Sequence, residues 1–450
     1  MPEHIKYAGP RITEAITLLI NLSIVHGFLP EKLLDSTLVP VVKDKCGRLS
    51  TKDNYRPIAL CNVITKILEV LMLDRMMLYL YTNDNQFGFK TGHCTDMAIF
   101  AIKEIINYYK EKNSTMFVCF LDASKAFDRI NHGILFMKLK KRGLPETWLR
   151  LLKYWYSNQK CYIRWGSMLS EPFSVSNGVR QGGILSPFLF NVYMDGLSDT
   201  LNMCSAGAYA GHFSNHLMYA DDIVLYAPSV KGLQRLINTC DDYGKHNDIL
   251  YNSKKSCVLI AKCMNDQHVN HPPFYLGSTN IPTKNCVKYL GHIIRDDIHA
   301  DDDIKRQRKS VFLKANLIKR RFLSCSWNVK IVLFKSYCTQ FYTCSMWNSH
   351  KLTSYHSFVT AYNQSLRYLL NIPSYCSAKQ MFAFLSVPSA NEILRHSIYR
   401  TMTCFKSSHN NIVNSIFTSD AWRLSKTRKF WYNRQTLFNV YVFWIICKVF

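Results

Sequence analysis

His216-Leu217-Met218-Tyr219-Ala220-Asp221-Asp222-Ile223-Val224-Leu225-Tyr226-Ala227 sets two short apolar, β-favouring runs on either side of adjacent carboxylates. Runs of this kind joined by two residues read as a β-hairpin, which puts Asp221 and Asp222 at its tip. Asp-Asp is a poor hairpin turn, because Asn-Gly or Asp-Gly reaches φ > 0 at lower cost. An isolated acidic pair is most often a solvated turn. Two like charges in an unfavourable turn point instead to a need for the charge itself. Adjacent carboxylates repel unless a cation neutralises them, and oxygen ligands of this type suit Mg2+ or Mn2+.

Upstream, Met116-Phe-Val-Cys-Phe-Leu121 is an unbroken apolar run, as expected of a strand buried on both faces. It stops at Asp122, a costly place for a carboxylate unless it is paired, hydrated or metal-bound. Asp128 reads as the cap of the segment that follows. Between run and hairpin, Gly178-Val-Arg-Gln-Gly-Gly-Ile-Leu-Ser-Pro187 is a tight loop entering a helix. Ser186 suits the N-cap there and Pro187 the first helical position. Beside the hairpin pair, Asp122 completes a site for two divalent ions, typically about 3.5–4 Å apart. In that geometry one ion activates a primer 3′-hydroxyl and the other holds a triphosphate, with Lys and Arg neutralising its phosphates.

Further out, residues 11–28 read as an amphipathic helix ending near Gly27, and Thr37–Val42 as a strand running into the basic loop Lys43–Arg48. Asn54–Leu60 reads as the opening of a long apolar helix reaching about Leu80. Residues 95–110 and 230–246 are helical, Ser253–Ile260 is a strand, and Val287–Ile294 is a strand pair bent at Gly291. From Asp303 the pattern is helical and basic, with Lys305, Arg306, Arg308 and Lys309 leading it. A solvated cationic face and a phosphate-binding face both fit that pattern.

With 56 Lys+Arg against 31 Asp+Glu, the 450 residues carry a formal charge of +25. Such an excess repels itself unless a polyanion is present, and nucleic acid fits better than a membrane surface, since no basic amphipathic anchor stands out. The 16 cysteines include no Cys-x-x-Cys pair, which argues against structural zinc and fits a reducing compartment. No signal peptide opens the chain. The apolar stretches Ile16–Val25 and Val440–Cys447 are too short to span a bilayer. Val440–Cys447 reads equally as a terminal helix, a terminal strand or residue of a degraded frame. An intracellular protein of nucleus or cytoplasm, neither secreted nor membrane-bound, is expected.

Six stretches together resemble the reverse transcriptases of non-LTR (LINE-type) retrotransposons: Asn54–Leu60, Gln86–Lys90, Leu121–His132, Gly178–Pro187, Tyr219–Asp222 and Tyr289–Gly291. They occur in the family's order over roughly residues 30–300. The resemblance implies an α+β right-hand polymerase with fingers, an antiparallel-sheet palm and a helical thumb. Residues 1–115 would be fingers and an N-terminal extension, 116–300 palm, 301–375 thumb, and 376–450 a C-terminal helical region without an assigned role. It implies that Asp122 and Asp221 bridge two Mg2+ or Mn2+ ions, with Asp222 as an auxiliary carboxylate and Lys255 as the proton donor to pyrophosphate. Phe127 would be the aromatic gate against a ribose 2′-hydroxyl. Arg56, assisted by Lys43 or Lys45, would contact the triphosphate, and Gln181 and Gly182 would lie under the incoming nucleotide. Tyr289, Leu290 and Gly291 would support the primer end, and Lys305, Arg306 and Lys309 would line the template–primer duplex. The implied partners are an RNA template, a DNA primer and dNTPs. An endonuclease domain, which the family's longer members carry, has no visible counterpart here, so a truncated frame without target-site nicking is expected. The competing expectation is a catalytically idle nucleic-acid-binding relic.

Overall fold

The computed structural model describes residues 2–434 apart from Cys46, Gln267 and Val269. In chain order its main elements begin with α1 (Pro10–His26), closed by Gly27 in the left-handed conformation, then β1 (Asp35–Val42), β2 (Tyr55–Cys61) and α2 (Val63–Met76). There follow α3 (Thr95–Glu111), β3 (Met116–Asp122), α4 (His132–Lys141), β4 (Lys160–Trp165) and α5 (Ser186–Asn202). Next come β5 (His216–Tyr219), β6 (Asp222–Ala227), α6 (Val230–His246), β7 (Cys257–Ala261), β8 (Cys286–Tyr289) and β9 (His292–Arg295). The last part is helical, led by α7 (Asp301–Arg321), α8 (Leu352–Leu370) and α9 (Ala390–Lys406).

β3 lies inside an antiparallel sheet of order β7-β3-β6-β5. Side chains alternate across a strand, so Val118 and Phe120 join one core with α3 and the C-terminal helices, while Cys119 and Leu121 join a second with α5 and α6. Helices cover both faces, which is why this antiparallel strand is apolar without a break. Burying each large apolar side chain of the run contributes roughly 1.5–3 kcal/mol. A second sheet, built on β2-β1-β4, carries the first third of the chain, with β1 antiparallel to β2 and parallel to β4. The class is α+β, as expected.

Local readings fared differently. Asn54–Leu60 is not helical: Tyr55 to Cys61 pair residue by residue with Val42 to Ser36, and Pro57 faces Pro40. The helix begins only at Val63, where the Asn62 side chain caps Ile64 N–H, and it ends at Met76. The strand expected from Ser253 starts at Cys257, because Asn252 holds the intervening residues in a turn, its side chain accepting from Lys254 and Lys255 N–H. Ser186 is the first residue of α5 and not its cap, with its hydroxyl bonded to the Tyr156 phenol. Asp128 caps nothing, since Asn131 caps α4. The Val440–Cys447 stretch lies outside the described residues. Among the described residues, no helix is long and apolar enough to cross a membrane, and the cysteines are free thiols.

Candidate active site

The β5–β6 hairpin pairs Tyr219 with Asp222, so its two-residue turn is Ala220-Asp221, one residue earlier than the Asp-Asp tip read from the sequence. Ala220 takes the φ > 0 position at 55°, which frees Asp222 to begin the strand. In the β3–β6 ladder Asp222 is the direct partner of Asp122. Cross-strand partners share a face, so both carboxylates emerge on the side of Phe120 and Val224, where the apolar ladder ends. Two chain segments, β3 and the β5–β6 hairpin, thus bring Asp122, Asp221 and Asp222 together.

Electrostatics agree with that proximity. Burial raises the Asp221 carboxyl, Asp122 raises it further, and Arg56 opposes the rise. Asp222 is pushed up to about 6 by burial and then by Asp221 and Asp122. Among the described residues no three His, Cys, Asp or Glu side chains form a ready-made ion cage. Mg2+ in nucleotidyl transfer is held by one or two carboxylates with substrate phosphates completing the octahedron. Asp122 facing Asp222 across the ladder, with Asp221 beside them and the site open to one side, fits that donor set.

The Gly178–Pro187 loop is laced to the turn after β3. Val179 N–H donates to Phe127 O at 2.8 Å and Gly178 N–H to Ile130 O at 2.7 Å. The Gln181 amide donates to Asp128 Oδ1 at 2.9 Å, which is the work Asp128 does instead of capping. Ala59 N–H of β2 donates to Gln181 O at 2.7 Å, and a Cβ on Gly182, at φ 109°, would stand 3.0 Å from Ala59 O. Only glycine fits there. Phe127 is half-buried, stacked on Phe190 of α5 at 4.4 Å and 3°, with Phe89 edge-on. What the contacts show directly is packing between the turn after β3 and α5.

Arg56 is exposed on β2, opposite Val41, with its charge felt at Asp221. Lys43 is exposed, but its ammonium bonds Asp53 O at 2.9 Å. Lys45 lies in the same exposed loop. Lys255 is exposed in the turn before β7, and that turn is tied to β3: Asn252 N–H donates to Asp122 O at 2.8 Å and Asp122 N–H to Ser256 Oγ at 3.1 Å.

Tyr289 is buried, its ring 5.4 Å from Phe120, and its hydroxyl has no hydrogen-bond partner among the described residues although the Asp222 charge reaches it. Leu290 and Gly291, at φ 45° and 82°, turn β8 into β9, and the Tyr342 hydroxyl donates to Leu290 O at 2.7 Å. On α7 the expected free cations are partly neutralised. Lys305 lies 3.2 Å from Asp302, and Arg306 lies 2.8 Å from Asp303, acids of the helix's own first turn. Lys309 is exposed.

Sequence reading missed the support beneath the loop. Arg180 is buried, with its guanidinium 3.1 Å from the buried Glu69 of α2 and 4.2 Å from the Trp155 ring centroid. The second Glu69 oxygen accepts Ile184 N–H at 2.7 Å. Glu69 shares its largely apolar helix with Asp74, so no local signal set it apart.

Comparison with known proteins agrees with this geometry. The family model "Reverse transcriptase (RNA-dependent DNA polymerase)" matches residues 42–294, more than half the chain. The Pol polyprotein of the Drosophila melanogaster type-2 retrotransposable element R2DM is 29% identical over 282 residues, 61% of this chain and 26% of its own length. A probable RNA-directed DNA polymerase from the transposon X-element of the same species is 28% identical over 65% of this chain and 33% of its own length. The RNA-directed DNA polymerase from the mobile element jockey of Drosophila funebris is 22% identical over 84% of this chain and 42% of its own length. The chain thus spans about a quarter to two-fifths of the length of these relatives. Apo telomerase from Candida tropicalis superposes with a TM-score of 0.47 at 8% identity, covering 91% of this chain and 74% of that one. Family, sheet order and helical layers agree with the expected right-hand polymerase class. The chain belongs to the reverse transcriptase (RNA-dependent DNA polymerase) family.

Proposed function

We propose that the chain copies RNA into DNA, extending a DNA primer's 3′-hydroxyl with dNTPs on an RNA template. The observation that carries this reading is the opposition of Asp122 and Asp222 across one ladder, with Asp221 in the adjoining turn. The RNA-directed DNA polymerases among the relatives support it. In this reading residues 1–115 form the fingers and an N-terminal extension, 116–300 the palm and 301–375 the thumb.

Two Mg2+ or Mn2+ ions, when bound, polarise the primer hydroxyl and neutralise charge on the triphosphate. Asp122 and Asp221 hold them, with Asp222 as auxiliary. Arg56 and Lys43 bind the triphosphate, and Arg56 also offsets the local negative charge. Gln181 and Gly182 floor the nucleotide site, where the absence of a Cβ lets the backbone approach closely. Phe127 presents its ring edge to the sugar and excludes a 2′-hydroxyl. Lys255 gives a proton to the departing pyrophosphate. Leu290 and Gly291, seated by the Tyr289 ring, support the primer end. Lys305, Arg306 and Lys309 bind phosphates of the duplex, a contact weakened by salt.

The test is extension of a DNA primer on a homopolymer RNA template, with and without divalent metal. Metal-dependent incorporation of dNTPs is expected. A well-folded protein that incorporates nothing with either Mg2+ or Mn2+ overturns the reading.

A further inference from the structure

The turn that carries Asp221 is strained, and the N–H of its left-handed residue is held from outside the turn. Ala220 sits at φ 55°, a conformation that costs a non-glycine residue roughly 1–2 kcal/mol. Such a residue persists only where its surroundings over-determine it. Those surroundings come from far upstream. The segment Asn85-Gln86-Phe87-Gly88 lies along β5, the edge strand of the sheet, as a short parallel addition with Gln86 bridged to Met218. Met218 N–H donates to Asn85 O, and Phe87 N–H to Met218 O, both at 2.8 Å.

Gln86 then does something backbone pairing cannot. Its side chain is 2% exposed, and its Oε1 accepts both Gly88 N–H at 2.9 Å and Ala220 N–H at 3.0 Å. One oxygen thereby ties the catalytic turn to the upstream segment. The approach is close enough that a Cβ on Gly88 would stand 2.4 Å from Ala220 N. Gly88 is held from behind, where Asn191 of α5 donates to its carbonyl at 2.8 Å. The turn is therefore braced by a chain of contacts running from α5 through Gly88 and Gln86 to Ala220.

We propose that Gln86 is a positioning residue that holds Ala220 in its left-handed conformation and so aims the Asp221 carboxylate at the metal site. This rests on the metal-site reading above, but it does not require that the chain polymerise. Nothing else in the described turn supplies an acceptor to Ala220 N–H, and Gln86 itself has no route to a substrate.

The test uses the full chain and Mn2+ alone as probe, with free Mn2+ followed by electron paramagnetic resonance. Wild type, Gln86→Met, Gln86→Asn, Gln86→Glu and Asp221→Asn are compared after thermal unfolding has shown which are folded. Gln86→Met removes the acceptor at similar volume. Gln86→Asn draws it back by one methylene and is the milder change should Gln86→Met not fold. Gln86→Glu keeps an acceptor oxygen in reach. Loss of an outer partner of a metal ligand weakens binding roughly 10- to 100-fold. That loss is expected for Gln86→Met and Gln86→Asn, with Gln86→Glu close to wild type. Mn2+ affinity unchanged in folded Gln86→Met or Gln86→Asn overturns the proposal, leaving Gln86 a purely structural residue. So does a wild type that binds no Mn2+ lost on changing Asp221. A wild type that binds Mn2+ but never extends a primer sinks the polymerase reading alone.

Discussion

Asp222 stands directly opposite Asp122 in the β3–β6 ladder, where two apolar strands end together in like charges. Like charges directly across a sheet destabilise it, and a sheet selected for stability alone would not end this way. The arrangement has a measurable consequence even before metal or substrate is added.

That consequence is a pH dependence of stability. Burial, then Asp221 and Asp122, raise the Asp222 carboxyl from 3.8 to about 6. Across that window the folded chain keeps a proton that the unfolded chain has released, so stability falls as pH rises from about 4 to about 6 and stays lower above it. Asp222→Asn reduces the slope, leaving the part due to Asp221, and raises Tm at pH 7.5 in chelator. Asp222 is set against the protein on one side but still meets solvent, and screening limits the gain to about 1 kcal/mol. Thermal unfolding of both proteins at pH 4.5 and 7.5 checks this. A lower Tm for Asp222→Asn at pH 7.5 contradicts it.

The Glu69–Arg180 pair is a stability element under the Gly178–Pro187 loop. Glu69→Leu leaves a buried guanidinium uncompensated, and breaking a buried pair costs about 3–5 kcal/mol. The double variant Glu69→Leu, Arg180→Met removes both charges and is expected to lose much less. Urea unfolding of the two variants decides the point. A double variant that loses as much as Glu69→Leu contradicts this.

Phe127→Ala takes away the ring stacked on Phe190. If the ring is a gate, the ratio of kcat/KM for a ribonucleotide to that for its deoxy counterpart rises about tenfold or more. Primer extension with paired rNTP and dNTP measures it. A fall in both rates with the ratio unchanged assigns the ring to packing only.

What was legible followed local chemistry. The apolar run Met116–Leu121 and its terminal Asp122 announced a buried strand with a costly charge at its end, and the hairpin at 216–227 was legible as a hairpin, though its turn lies one residue earlier than the Asp-Asp pair suggested. The Asn54–Leu60 stretch misled because its residues do not alternate and Pro57 follows Arg56. Its strand character comes from β1, through contacts that no short window contains. Gln86 and Glu69 were silent for the same reason: each acts on a partner more than a hundred residues away, Ala220 and Arg180. On α7 the basic face was plain, but its neutralisation by Asp302 and Asp303 needed the three-residue spacing to be read together with the helix start.

In the proposed site Asp122, Asp221 and Asp222 act as one metal-binding unit. Single-turnover extension of a primed RNA by wild type, Asp122→Asn and the exposed control Asp74→Asn tests it most directly. Asp122→Asn is expected to slow the chemical step by roughly a hundred- to a thousandfold, with primer–template affinity and Tm maintained and Asp74→Asn unaffected. An Asp122→Asn protein that extends the primer at the wild-type rate contradicts the account.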